Sequence, residues 1–576
     1  MIVRGPASPV NVPFHKGVND LMNTTKGLGR IGDDAVNRRS FLWMVAGGAA
    51  VIGVPSVLTG CGDAAPKAAA TFGGSMAGII PSYIPITFAK PDYPSVNGTT
   101  PGYLTLPEKL VRSVPKPPGK GSKFTVMTPL WGTIPAESGN QYYAAVNKIL
   151  GSEIKFQITD GNTYGDKLAT VLASFKDVPD WVCVPGWNLP PRFGAEIVDH
   201  VFEDLTPFLA GDKVKAYPNL ANIPTSAWKA SVFNGKLFGL PMPGDIAGGN
   251  PTFYRANLLA KMGITPDVKS ADDLLALVLE LTDAKAGHWG CGDLWLTACQ
   301  MFAVPGNWKL DDKGKLVSRT ETEEYRKALA WTTKLFASGA VHPDEIAKTG
   351  DSKGRFQGGQ LLVANQGWGA WGEALSDLLV SDPEYSQLPL PIFSAVKGEK
   401  PVLFKGAPAS IFSFLKKNDD KAKIQEMLAL ANVIAAPFGT TEYDLIQNGV
   451  EGVHFTKGDK GVPIPTPLAA KELQPTYVFL VDGPTANAKV QFPGFVKAES
   501  EYLADASKYL VEEVFYGMQI SEPPRYASLK LPFDDLEKAI VRGRKSLKDL
   551  DEAVTTWKSS GGEELRKFYQ DILDKK

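Results

Sequence analysis

The sequence predicts an α/β protein with a largely parallel sheet, and three short stretches with helices between them carry that prediction. "KFTVM" (Lys123–Met127) alternates and holds β-branched and aromatic residues, "EIKFQIT" (Glu153–Thr159) repeats the pattern, and "PDWVCVPGW" gives a short apolar strand ending at Gly186-Trp187. Between them, "QYYAAVNKIL" (Gln141–Leu150) and "TYGDKLATVLASF" (Thr163–Phe175) have helical spacing. Strand–helix–strand–helix–strand implies parallel pairing with helices on both faces of the sheet. Ligands of open α/β sheets bind beyond the carboxyl ends of strands. The loops Thr128–Gly132 and Pro185–Asn188 fall there, which makes Trp131 and Trp187 candidate site residues.

A second series begins near Asn234-Gly235, a turn followed by a strand ending at Pro241. "TFYRANLLAKMG" is a short strand running into a helix. "KSADDLLALVLELTDA" is a helix capped by Ser270, with Asp273 three residues on, close to a capping box. The helix "ETEEYRKALAWTTKLFASG" ends at Gly339. "GGQLLVANQG" and "APASIFSFL" are strands, "DKAKIQEMLALANVI" is a helix, and amphipathic helices dominate from Ala498 onward.

The N-terminus reads as an address. Arg38 and Arg39 precede Ser40-Phe41-Leu42, and eighteen uncharged residues run from Phe41 to Leu58 before Leu58-Thr59-Gly60-Cys61. A single anchor helix is one reading of that run, although it falls short of the roughly twenty residues a span needs. The flanks resemble a twin-arginine export signal and a bacterial lipobox. That resemblance implies cleavage after residue 60 and a lipidated Cys61 holding the protein on the outer face of the cell membrane. Residues 61–122, rich in Ala, Gly, Pro and Ser, suit a flexible tether.

Beyond residue 60 the chain holds 55 basic and 59 acidic residues with no basic block, which argues against nucleic acid as a partner. Cys183, Cys291 and Cys299 are no disulfide framework; a Cys291–Cys299 bridge and three buried thiols are both open. No HExxH, GxSxG or GxxxxGK[ST] pattern occurs, and His200, His288, His342 and His454 form no cluster with cysteine. Neither a catalytic centre, a cofactor nor a metal is expected. Asp272/Asp273 and Asp534/Asp535 stand at helix starts, where they suit the dipole.

Several stretches in order resemble the extracellular solute-binding proteins of ABC importers. They are "NGKLFGLP" (Asn234–Pro241), Phe253-Tyr254-Arg255 leading into "ANLLAKMGI", "LFASGAVHPDE", and "NQGWGAW" (Asn365–Trp371). "GTTEYDLIQNGVEGVHFTKGD" (Gly439–Asp459) and "WKSSGGEELRKFYQDIL" (Trp557–Leu573) resemble the branch of aldouronate- and oligosaccharide-binding lipoproteins. The resemblance implies a two-lobed periplasmic-binding-protein-like α/β fold with hinge strands crossing between the lobes. Its expected boundaries are 123–242 with about 400–435 for the first lobe, and 243–399 with about 436–576 for the second. It also implies a monomeric receptor that captures an oligosaccharide, or a peptide or other polar solute, and passes it to ABC permease subunits; a surface carbohydrate-active enzyme, with two carboxylates across a cleft, is the less favoured alternative.

A sugar needs paired hydroxyls and flat aromatic faces for its C–H surfaces. Twelve tryptophans suit this, although large proteins also bury tryptophan in their cores. The resemblance favours Trp368 and Trp371, and Trp295 in "CGDLWLTA". Asp245 in "LPMPGDIAGGN" is a candidate hydroxyl acceptor or a solvated loop residue. Glu451 and His454 either line the cleft or form a capping and packing motif. Arg192 and Arg255 are candidates for a uronate carboxylate, Arg255 alternatively packing beside its helix.

Overall fold

The computed structural model describes residues 78–574, apart from 189–194, 234, 248, 348–350, 459–460, 519 and 521. The export-like stretch, Cys61, Arg192 and Asn234 lie outside those residues. In chain order the elements that position the site begin with β1 (Lys123–Leu130), α1 (Gln141–Leu150), β2 (Glu153–Asp160), α2 (Tyr164–Leu172), β3 (Trp181–Pro185) and β4 (Gly239–Pro243). Next come β5 (Thr252–Tyr254), α3 (Ala271–Glu280), β6 (Trp289–Cys291), α4 (Trp295–Met301), α5 (Glu323–Ala337) and β7 (Leu361–Asn365). Then follow α6 (Ala370–Leu378), β8 (Leu388–Pro389), β9 (Ala409–Leu415), α7 (Lys421–Ile434), α8 (Thr441–Asn448) and α9 (Phe495–Ala506). The chain closes with α10 (Leu531–Val541), α11 (Leu547–Trp557) and α12 (Glu563–Leu573).

The first sheet has the order β2-β1-β3-β9-β4, with β1 parallel to both β2 and β3 as the sequence rhythm predicts. Helix α1 starts where Asn140 accepts the Tyr143 N–H and stops at Gly151, whose φ of +74° suits glycine. Strand β9 runs antiparallel to both β3 and β4. That makes β4 parallel to β1–β3, so four strands point their carboxyl ends the same way. The second sheet has the order β8-β5-β7-β6, with β6 and β7 parallel and β5 antiparallel to β7. Ser270 caps α3 by accepting the Asp273 N–H.

This topology fixes where the lobes meet. The first crossover, Gly244–Pro251, leaves the carboxyl end of β4 and reaches β5 at the carboxyl ends of β6 and β7. The second runs from β8 to β9 between the same two ends, and it is bonded to the first through Gly244 N–H to Pro408 O (3.1 Å) and Gly406 N–H to Ile246 O (2.9 Å). A third, Asp482–Gly494, leads into α9. Each sheet therefore presents its strand carboxyl ends toward the hinge.

Two expectations are corrected. Residues 436–481 belong to the first lobe: Ile446 and Tyr477–Val481 lie in the core with Trp181 and Phe412, and the Tyr142 hydroxyl donates to Ile446 O (3.0 Å). The reach of this return segment across α1 has no periodic signature that would assign it to either sheet. The described part of the expected tether, from Gly78, is also no tether. Ile84 N–H bonds Ala221 O (2.8 Å) on the first lobe, Tyr103 N–H bonds Asn487 O (2.8 Å) on the third crossover, and Val111 N–H bonds Gly439 O (3.1 Å) back on the first lobe. A Pro- and Gly-rich chain forms no element of its own, yet its backbone donors are satisfied here by carbonyls of the body.

Candidate ligand-binding cleft

Trp131 directly follows β1 and Trp187 lies two residues past β3, so both indoles stand at the carboxyl edge of the first sheet. Their ring centroids are 5.9 Å apart with planes at 54°, and they are 37 % and 58 % exposed. Phe479 meets Trp131 edge-on at 6.0 Å and supports it from below. The turn after β2 makes room: a Cβ on Gly161 would fall 2.2 Å from Cε2 of Trp131. Two large rings side by side at the sheet edge leave apolar surface facing solvent.

On the second lobe Trp368 follows β7 by three residues. Tyr502 of α9 stacks on it (5.4 Å, 26°) and Trp371 packs edge-on against it (6.0 Å). The Glu499 carboxyl is pushed up to about 7 by burial, with Lys489 pulling it down and Asp245 pushing it up. Trp295 opens α4 just past β6. It packs edge-on against Tyr325 (5.8 Å), with the Arg319 guanidinium 6.0 Å from its ring centre.

Residues 135–432 match the family model of bacterial extracellular solute-binding proteins. The chain belongs to that family. Among curated relatives, the polygalacturonan/rhamnogalacturonan-binding protein YtcQ of Bacillus subtilis (strain 168) is 24 % identical over 399 residues, covering 63 % of this chain and 75 % of its own. Lipoprotein LipO of the same organism is 24 % identical over 503 residues, covering 78 % and 92 %. Among solved structures, the alginate-binding protein AlgQ2 superposes with a TM-score of 0.58 at 13 % identity, covering 81 % of this chain and 100 % of that one. That likeness bears on the fold, which is the two-lobed architecture of this family.

For this solute-binding protein, the structure separates the remaining candidate residues. Trp371 does not reach the cleft: it is 2 % exposed, wedged between Phe253 and Phe495 in the second-lobe core, because β7 turns into α6 there and points it inward. His454 is fully buried in the first lobe. Its Nδ1 accepts the Val450 N–H (3.0 Å), which leaves Nε2 to carry the proton toward Glu472 (3.2 Å). Glu451 is exposed and paired with Lys457 (2.8 Å). His454 thus packs inside the first lobe, whereas Glu451 stands on its surface. Asp245 spends one oxygen on Thr100 N–H and the other on Ala247 N–H, both at 2.7 Å, and so ties the hinge. Arg255 is buried; its guanidinium donates to Phe356 O and Gln357 O and lies 4.3 Å from the Tyr385 ring centre. It clamps its own lobe. Cys183, Cys291 and Cys299 are free thiols.

Sequence reasoning missed Phe479, Glu499 and Tyr502. Glu499 and Tyr502 are three apart on α9, a spacing that puts them on one face, but nothing in the sequence says what that face meets. A hollow of about 690 Å³ beside Phe175, His200 and Lys236 sits at the opposite, amino-terminal end of the first sheet. Two of its lysines are already paired, Lys236 with Asp199 (2.8 Å) and Lys421 with Glu203 (2.7 Å). Among the described residues no group of three or more His, Cys, Asp or Glu is placed to hold a metal ion, and no helix is long and apolar enough to cross a membrane.

Proposed function

We propose that the protein is a lipid-anchored extracellular receptor that captures an oligosaccharide between its lobes and delivers it to an ABC permease. The observation that carries this is the exposed Trp131–Trp187 pair at the carboxyl edge of the first sheet, beside the crossovers. Adjacent tilted indoles offer faces for the C–H surfaces of successive sugar rings. The polysaccharide-binding relative supports the ligand class, and the lipoprotein relative supports lipidation at Cys61. Closure follows from differential contact, since only the closed arrangement touches the ligand from both lobes. The protein acts as a monomeric binder without enzymatic turnover.

The test is a thermal-shift screen against oligogalacturonides, alginate oligosaccharides and kestose. A ligand at a hundred times its dissociation constant adds about 2.7 kcal/mol of stability, an easily resolved shift. A shift with any of these that is lost in Trp187→Ala supports the reading. Silence with all of them and a shift with peptides would replace the ligand class.

A further inference from the structure

The segment ahead of β1 folds a short hairpin, and that hairpin lies on the hinge. Tyr93 and Gly102 exchange N–H to O=C bonds (3.0 and 2.8 Å), and the chain reverses at Asn97-Gly98, where φ is +52° and +85°, a backbone that Asn-Gly adopts with little strain. The chain on either side is held by the first lobe. Before the hairpin, Ile86 N–H donates to Asn222 Oδ1 (2.8 Å). After it, the Tyr103 ring packs on Phe438 (4.2 Å), and Ser113 and Val114 N–H donate to the Glu442 carboxylate (3.1 and 3.0 Å). One arm meets two crossovers. Thr100 N–H donates to Asp245 of the first, Thr100 Oγ1 donates to Thr485 Oγ1 of the third (2.9 Å), and Asn487 of the third bonds both Pro101 O (2.9 Å) and Tyr103 N–H (2.8 Å). The tip reaches the second lobe. Asn97 Nδ2 donates to Ser507 Oγ (3.2 Å), just past α9, the helix whose Phe495 sits in the second-lobe core with Phe253 and Trp371. A Cβ on Gly102 would fall 2.3 Å from Ser500 Oγ on the same helix, so the two backbones lie close.

We propose that the hairpin 93–102 is a brace across the hinge that favours the open arrangement of the lobes and so lowers the affinity for ligand. This rests on the reading of capture by closure and deepens it. The arrangement in this structure is an open one: Trp131 and Trp187 are exposed and pack on each other and on Phe479 of their own lobe. In it the hairpin has its bonds to both crossovers and to Ser507. Its flanks are fixed to Asn222 and Glu442 of one lobe and its tip to the other, so a rotation of the lobes moves Ser507 away from the frame that holds the hairpin. The tip cannot follow both. Contacts made in one arrangement and broken in the other bias the equilibrium toward the first by their own free energy. The hinge crossovers thus permit the movement, and the hairpin sets where it rests.

The experiment uses the full chain in detergent and two variants. Asn97→Gly keeps the left-handed turn and removes the bond to Ser507; Asn97→Gly/Thr485→Val also removes the hydroxyl bond to the third crossover. Amide exchange reads the hinge at Gly244 and Gly406, whose N–H groups bond one crossover to the other. Exchange at both should quicken in Asn97→Gly and further in the double variant, while α1 and α3 keep the parent's rates. Affinity for whichever oligosaccharide of the panel binds should rise about threefold in the single variant and about tenfold in the double, because closure then breaks fewer bonds. A hairpin that only supported the fold would give no such gain. Faster exchange confined to residues 93–103, or an affinity that stays level or falls, overturns the inference even if sugars bind. Faster exchange at the hinge while every sugar stays silent supports the brace and removes the ligand reading instead.

Discussion

Trp131 lies across the backbone of Gly161, so closely that a Cβ there would come within 2.2 Å of the indole. Three strands thus cooperate in one feature: β1 delivers the ring, the turn directly after β2 holds the glycine that admits it, and β3 leads to its neighbour Trp187. Gly161→Ala should displace Trp131 and weaken oligosaccharide binding at least tenfold, with a melting temperature close to that of the parent. Isothermal titration with the best ligand checks this; unchanged affinity would mean that Trp131 is not in contact with it.

Trp187 and Trp371 should separate binding from stability. Trp187 is 58 % exposed, so Trp187→Ala should cost about 2 kcal/mol of binding, the scale of a contact hot spot, and almost nothing in folding. Trp371 is 2 % exposed, and Trp371→Ala should cost about 3–5 kcal/mol of folding stability. Urea denaturation and titration of both variants read the two quantities.

Asp245 joins the N-terminal segment to the first crossover, and Thr100 Oγ1 also meets Thr485 Oγ1 (2.9 Å) on the third. Removing the carboxylate in Asp245→Ala leaves two backbone N–H groups without their acceptor. Amide exchange at Thr100 and Ala247 should accelerate, with a loss of about 1–3 kcal/mol of local stability. Exchange confined to other segments would show that this tie is dispensable.

Asp482, at the start of the third crossover, is pushed up to about 7 by burial, with the Gly483 N–H pulling it back down. A carboxyl raised in the folded state contributes stability that is fully present below its unfolded value and is lost as pH rises through about 7. The melting temperature should fall between pH 5 and pH 8, and Asp482→Asn should flatten that fall. Identical pH profiles for the two proteins would show that Asp482 does not titrate there.

Much of the first sheet was legible because its strands and helices follow one another with clean periodicity and caps. Helix α1 spans the very residues its spacing marked, and Trp131 and Trp187 follow from the rule about strand ends. What stayed hidden is long-range. Nothing local tells that Ala436–Val481 returns to the first lobe, or that a Pro-rich stretch lies across the hinge. Trp371 shows the same limit: two tryptophans three residues apart read alike, and only the turn into α6 sends one toward Tyr502 and the other into the core. His454 and Glu451 were equally ambiguous until Val450, Glu472 and Lys457 were seen to satisfy them.

Small-angle scattering of the protein with and without its best oligosaccharide tests the central claim most directly. Capture between the lobes should reduce the radius of gyration on binding, and the reduction should vanish in Trp187→Ala at the same ligand concentration. A ligand that binds tightly with no change in radius would contradict capture by closure.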